Sequence, residues 1–215
     1  MTSLHRWSIA WSRLGTGVTN PALGQALLQA YAEPQRAYHT LAHLQDCLEH
    51  FDTVHMLTEH PAEVEIALWF HDAIYNPHAH DNEAQSAHWA QEALRGANLP
   101  EDGVQRVVDL IMATCHQATP VGTDACLLVD IDLSILGRPP AVFERYEQHI
   151  RAEYAWVPAA TFGQRRAAIL AAFLERQAIY ATPVFRQRYE AQARQNLARS
   201  LARLRHSDGT VAWEG

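Results

Sequence analysis

Two ionisable side chains stand next to each other in an otherwise apolar stretch of the chain. The segment ALWFHDAIYNP, residues 67–77, places His71 and Asp72 among residues that favour a buried helix. Burying one ionisable group without a partner is costly, and burying two neighbouring groups costs more. A divalent cation removes that cost, because it neutralises the carboxylate and binds the imidazole lone pair. A buried His–Asp hydrogen-bonded network is the alternative, and the dipeptide alone does not decide between them.

Further ionisable residues occupy two other apolar segments. In LLVDIDLSILG, residues 127–137, a helical projection places Asp132 on the inward stripe and Asp130 at its edge, so Asp132 is the better ligand candidate and Asp130 the alternative. The chain contains no lysine, so a buried carboxylate here has arginine or a metal as its partner. His43, next to Cys47 on its helix, is by itself explained as a hydrogen-bonded residue at the core boundary.

Apolar residues recur with helical spacing along almost the whole chain. They predict an all-α fold, with residues 1–206 as a single domain of about eight to ten helices and residues 207–215 as a flexible tail. A helix should begin at the Asn20-Pro21 pair. The helix through residues 66–75 is apolar nearly all round, so it should be central and buried. Further helices are predicted over residues 101–117, 123–136, 139–155, 159–178 and 183–205.

Composition and charge exclude several classes of protein. The net charge of −7 argues against binding of a nucleic-acid backbone, and the 13 histidines, spread along the chain, prompt a search for metal ligands. Three cysteines without paired spacing argue against a disulfide framework and a zinc knuckle. No apolar run has the length of a signal peptide or a membrane span, so we expect a cytoplasmic protein without a membrane partner. The sequence does not predict the oligomeric state.

The order of these candidate residues resembles a known family. His43, then His71 and Asp72, then Asp132 is similar to the H…HD…D signature of the HD superfamily of metal-dependent phosphohydrolases. The segments YHTLAHL, ALWFHDAIYNP, DNEAQSA and DIDLSILG resemble a small bacterial branch of that superfamily. The likeness runs over most of the chain, including IYATPVFRQRYEAQARQNLA near its end. An HD dipeptide alone carries little information, but the ordered set, with each member on an apolar helix, is fairly specific.

The resemblance implies an HD-domain-like helical bundle that holds one divalent cation. Its ligands would be His43, His71, Asp72 and Asp132, and the ion is expected to be Mn, Fe, Co, Ni, Zn or Mg. The implied reaction is hydrolysis of a phosphomonoester or phosphoanhydride by metal-activated water, with Asp72 also orienting the water. The implied substrate is a nucleotide or another small phosphorylated metabolite.

Four other residues are candidates for catalysis or substrate binding. His116, at a predicted helix end, resembles a histidine that serves family members as a proton donor or phosphate contact; the alternative is a cation favoured by the helix dipole. His39 lies four residues before His43, so it could face the substrate from one turn away. Arg36 can hold a phosphate with two hydrogen bonds, unless it is a surface arginine. Glu83, near a helix start, could reach into the site.

Two alternative functions stay open. HD-like scaffolds also host oxygenases with two irons, which need additional histidine and carboxylate ligands. The chain does have further histidines before Asp132, but their spacing does not clearly match a second metal site; they are His78, His80, His88 and His116. A non-catalytic nucleotide-binding module would keep a pocket without requiring the ion. The complete ligand set argues against that module.

Overall fold

The structure is a computed structural model of the chain, and it describes residues 4–17, 19–116 and 118–206. Within these ranges the chain forms ten helices and no strand, so the predicted all-α fold is confirmed. None of the helices in the described part is long and apolar enough to cross a bilayer. The tail predicted over residues 207–215 lies outside the described residues.

Seven helices form a compact unit that ends at Asp132. They are α1 (Leu4–Ser12), α2 (Pro21–Ala30), α3 (Leu41–Val54), α4 (Pro61–Phe70), α5 (Asn82–Gly96), α6 (Glu101–Ala113) and α7 (Thr123–Asp132). The predicted start of α2 is confirmed, because the side chain of Asn20 accepts a hydrogen bond of 3.1 Å from the backbone N–H of Leu23. A 3₁₀ turn, His55–Leu57, follows α3.

Helix α4 is the centre of this unit. It packs against α1, α3, α5, α6 and α7, and every residue from Val64 to Phe70 is buried. The central, buried position predicted from its all-round apolar surface is therefore confirmed. The predicted length is wrong, because the helix ends at Phe70 and His71 is its C-cap residue. The His–Asp pair therefore lies in the turn that follows the helix.

Tryptophans pack α1 onto α4, and a glycine of α2 makes room for them. Trp7 and Trp11 are fully buried, and the Trp7 ring lies 5.3 Å from the ring of Trp69 between centroids, edge to face. Gly24 of α2 faces the same ring. A Cβ atom at Gly24 would lie 2.2 Å from Cδ1 of Trp7, so only glycine allows this close approach.

The described residues from 133 to 206 belong to a second compact unit. Its described elements are a 3₁₀ segment (Leu133–Gly137), α8 (Pro140–Glu153), α9 (Ala159–Glu175) and α10 (183–206), which is π-helical over Arg186–Glu190. A buried carboxylate joins its three helices: Glu147 of α8 accepts hydrogen bonds from Arg166 of α9 and, at 2.8 Å, from Ser200 of α10. The single domain proposed for residues 1–206 stays a prediction.

We predict that Gly24→Ala destabilises the protein although alanine is the better helix former. The added methyl group must displace the Trp7 ring, so the free energy of unfolding should fall by about 1–3 kcal/mol in denaturant titrations. Gly96→Ala is the matched control, since a Cβ atom there meets open space. That variant should be neutral or more stable by up to about 1 kcal/mol. Equal stability of the two variants would contradict the packing described for Gly24.

Candidate metal centre

Three helices of the first unit bring the predicted ligands together. His43 lies in the first turn of α3, whose N-cap Thr40 accepts a hydrogen bond from the N–H of Ala42. The turn after α4 supplies His71 and Asp72, and Asp132 is the last residue of α7. Helices α3, α4 and α7 all pack against one another. Residues far apart in the sequence therefore meet at the ends of packed helices.

The side-chain donor atoms converge at ligand spacing. Nε2 of His43 lies 3.1 Å from Nε2 of His71 and 3.3 Å from both Oδ2 of Asp72 and Oδ1 of Asp132. Nε2 of His71 lies 3.0 Å from Oδ2 of Asp72 and 3.8 Å from Oδ1 of Asp132. Ligand atoms about 2.0–2.2 Å from one cation lie roughly 3 Å from their neighbours. These four donors therefore fit a single divalent ion.

Burial separates the two kinds of ligand. The side chains of His43 and His71 are 3% and 1% exposed, whereas those of Asp72 and Asp132 are 16% and 14% exposed. Nδ1 of His71 donates to the carbonyl of Leu68 at 2.8 Å, so in the neutral ring Nε2 carries the lone pair that faces the cluster. The imidazoles form the buried side of the site, and the carboxylates form its solvent side.

Electrostatics favour a cation at this point. Burial opposes ionisation of Asp72, but the charges of His71 and His39 and hydrogen bonds from the imidazoles hold its pKa well below the usual value. Burial likewise opposes ionisation of Asp132, yet His116 and His43 lower its pKa. The carboxylates are therefore anionic, which is the form that binds metal. Helices α4 and α7 also end here, and the negative ends of their dipoles add to the attraction.

The two ring nitrogens respond to the same carboxylates. Burial lowers the pKa of His43, but Cys47, Tyr38 and hydrogen bonds to both aspartates outweigh it and raise that pKa well above its usual value. Burial also lowers the pKa of His71, but the charge of Asp72 outweighs that effect, so the pKa is raised. Protons on the imidazoles and a divalent cation would therefore compete for the same negatively charged site.

Arg36 has a structural role beside the cluster, and its predicted phosphate contact stays a prediction. Its side chain is fully buried, so the alternative of a surface arginine is wrong. The guanidinium donates to the carbonyls of His39 at 3.1 Å, Asp72 at 2.6 Å and Ala73 at 2.9 Å. The hydroxyl of Tyr31 accepts the N–H of Asp72 at 3.2 Å. Arg36 and Tyr31 therefore hold the backbone of the turn that carries Asp72.

His116 lies next to the cluster and contacts one of its ligands. Its Nε2 donates to Oδ2 of Asp132 at 3.0 Å, while the other carboxylate oxygen faces the imidazoles. Helix α6 ends at Ala113, earlier than predicted, and His116 adopts a positive φ of 54° in the following turn. Asp130 is fully buried and lies outside the cluster, so its predicted position at the helix edge is wrong.

The structure places the two remaining candidates at different distances from the cluster. The His39 ring lies 5.9 Å from that of His43 between centroids and stacks on Tyr75 at 4.1 Å. Its charge acts on Asp72, so it borders the site. Glu83 is half-buried on α5 and interacts with Cys115, the neighbour of His116. Substrate contacts of His39 and Glu83 stay predictions.

Cys47 belongs to the cluster, and the sequence reasoning did not assign it there. Its Sγ lies 3.7 Å from Nε2 and 3.8 Å from Nδ1 of His43, and burial raises the pKa of the thiol to about 11. Donor atoms of Cys47, His43, His71 and Asp132 all lie within 4.8 Å of one another. Cys47 follows His43 by four residues, so both lie on one helix face. This spacing is the feature of the sequence that could have identified Cys47.

No family model matches this chain, and searches of curated proteins and of solved structures find no significant match. The resemblance to HD phosphohydrolases therefore stays a prediction from the sequence.

We predict that Arg36→Met loosens the turn after α4. Methionine fills similar space but leaves buried carbonyls without donors, so the free energy of unfolding should fall by about 3 kcal/mol and metal affinity should weaken. Arg36→Lys keeps the charge but cannot reach all these carbonyls, so its stability and metal affinity should lie between those of wild type and Arg36→Met. Denaturant titration and metal titration measure the two effects. Wild-type stability and affinity in Arg36→Met, matching the exposed control Arg205→Met, would disprove the assigned role.

Proposed function

We propose that this chain is a metal-dependent phosphohydrolase of the HD type. Its reaction is the hydrolysis of a phosphomonoester or phosphoanhydride, and its substrate is a nucleotide or another small phosphorylated metabolite in the cytoplasm. The observation that carries the proposal is the convergence of His43, His71, Asp72 and Asp132 at distances of 3.0–3.8 Å. These residues also stand in the order of the HD signature.

The chemistry of this donor set suits hydrolysis. A divalent cation, when bound, polarises a phosphoryl oxygen and lowers the pKa of water. His43 and His71 supply neutral nitrogen ligands from the buried side, and Asp132 supplies a carboxylate fixed by His116. Asp72 is part-exposed, so its carboxylate can also accept a hydrogen bond from the attacking water and orient it.

The surroundings of the carboxylates suit an anionic substrate. His116 is one quarter exposed beside Asp132, and His39 borders Asp72. The imidazole of His39 can donate a hydrogen bond to a phosphate oxygen, whereas the Nε2 proton of His116 would have to pass from its bond with Asp132 to the leaving group. We assign His116 as the proton donor to the leaving group and His39 as a substrate contact.

A two-iron oxygenase is disfavoured by the positions of the other histidines. In the described part of the chain, one group of His, Cys, Asp and Glu side chains has the spacing of a metal site. His78, His80 and His88 are exposed and lie outside that group. Metal analysis distinguishes the two classes, since the oxygenase requires two irons per chain.

We predict that His71→Ala and Asp132→Asn lose both metal and hydrolysis. Each change removes one of four ligands, so metal content after purification without chelator should fall at least about tenfold. Hydrolysis of a phosphomonoester and phosphoanhydride panel should fall with it. His88→Ala is the matched control, because His88 is exposed and lies outside the cluster. Variants that keep a wild-type fold by circular dichroism and bind metal as wild type does would refute the proposed centre.

A separate prediction concerns His116. In His116→Gln, the bond to Asp132 can be replaced but the titratable ring is lost, so at saturating metal kcat should fall about 100-fold. Metal affinity should change much less, by about tenfold at most. Steady-state kinetics over a metal titration separate these effects. An unchanged kcat at saturating metal would leave His116 with no part in proton transfer.

A further inference from the structure

Two different residues can complete the same set of three ligands. His43, His71 and Asp132 are common to both sets of donors found in the cluster. In one set the fourth donor is the carboxylate of Asp72, 3.0 Å from Nε2 of His71. In the other it is the thiol of Cys47, whose donor atom lies within 4.8 Å of the other three. The site therefore contains a hard and a soft candidate for the fourth ligand.

The two candidates differ in their exposure to solvent. Cys47 is 2% exposed and lies one helical turn after His43 on α3, so both face the interior. Asp72 is part-exposed on the turn after α4. Sulfur lies beside the imidazole of His43, 3.7 Å from Nε2.

Ligand softness determines which ion each set prefers. Thiolate and imidazole ligands favour Zn²⁺ and its soft analogues, whereas carboxylates favour Mg²⁺ and Mn²⁺. A tetrahedral site of two histidines, one cysteine and one carboxylate is suited to zinc. A set of two histidines and two carboxylates suits harder ions that keep more positions for water.

We propose that Cys47 is an alternative fourth ligand that binds soft divalent ions, while Asp72 completes the site for hard ones. The proposal rests on the proposed metal centre and specifies which ions it discriminates. Zinc and manganese would then bind the same pocket through different side chains. Asp72 stays outside the ligand set in the zinc form, so the two forms differ in the group that orients water.

Cobalt spectroscopy tests the sulfur ligand directly. Wild-type protein loaded with Co²⁺ should show the near-ultraviolet charge-transfer absorption of a cobalt–thiolate bond. Cys47→Ser should lose this absorption, and Cys126→Ser, the matched control outside the cluster, should keep it. The wild-type spectrum needs no variant, so misfolding of Cys47→Ser cannot obscure the result. A wild-type cobalt complex without the absorption overturns the proposal.

Metal titrations test the predicted discrimination. Cys47→Ala should weaken Zn²⁺ binding about tenfold or more and leave Mn²⁺ binding within about twofold, and Asp72→Asn should show the opposite preference. If the affinities for Zn²⁺ and Mn²⁺ fall equally in both variants, the proposal is overturned. Wild-type protein that binds neither ion overturns the metal centre together with it. A thiolate absorption in a protein that hydrolyses no phosphoester refutes the proposed function and supports the role of Cys47.

Discussion

The C-terminal end of α4 is the constraint on which the candidate site depends. This helix is surrounded by five others, so the carbonyls at its end cannot be left to water. Arg36 donates to the carbonyls of Asp72 and Ala73, and Tyr31 accepts the N–H of Asp72. Because these bonds fix the backbone of the turn, the side chains of His71 and Asp72 are directed toward α3 and α7. A buried arginine thereby sets the position of two ligands without touching an ion.

The distances also bear on the two explanations of the His–Asp pair, and they favour a metal site. A hydrogen-bonded network needs each donor to face an acceptor, but Nε2 of His43 faces Nε2 of His71 at 3.1 Å. Both nitrogens also face the same two carboxylates. Hydrogen bonds satisfy the carboxylates, but they leave two Nε2 atoms facing each other, whereas one cation would bind the lone pairs of both rings. A purely structural cluster would also cost more than well-packed apolar side chains.

Sequence periodicity predicted the helices and the ligand order, but it did not predict their local surroundings. The buried position of α4 followed from its apolar surface, because that pattern lies within the helix itself. Its end at Phe70 did not follow, because the apolar pattern continues through Tyr75 while the chain turns to meet Arg36. Arginine is usually exposed, so its complete burial has no signal in one sequence. Cys47 was overlooked because cysteine is also an ordinary core residue, and only the fold brings its sulfur to the histidines.

Under the proposed function, the burial of the candidate ligands sets the direction from which a substrate would approach. The imidazoles close the site on the inside, so a phosphate would enter on the side of Asp72 and Asp132. Both carboxylates are anionic, since their pKa values are lowered, and they repel a phosphate. A bound divalent cation reverses the sign of this local field. Protons on the two imidazoles or a bound cation offset this repulsion, so under the proposed function we expect bound metal to strengthen the binding of a phosphate.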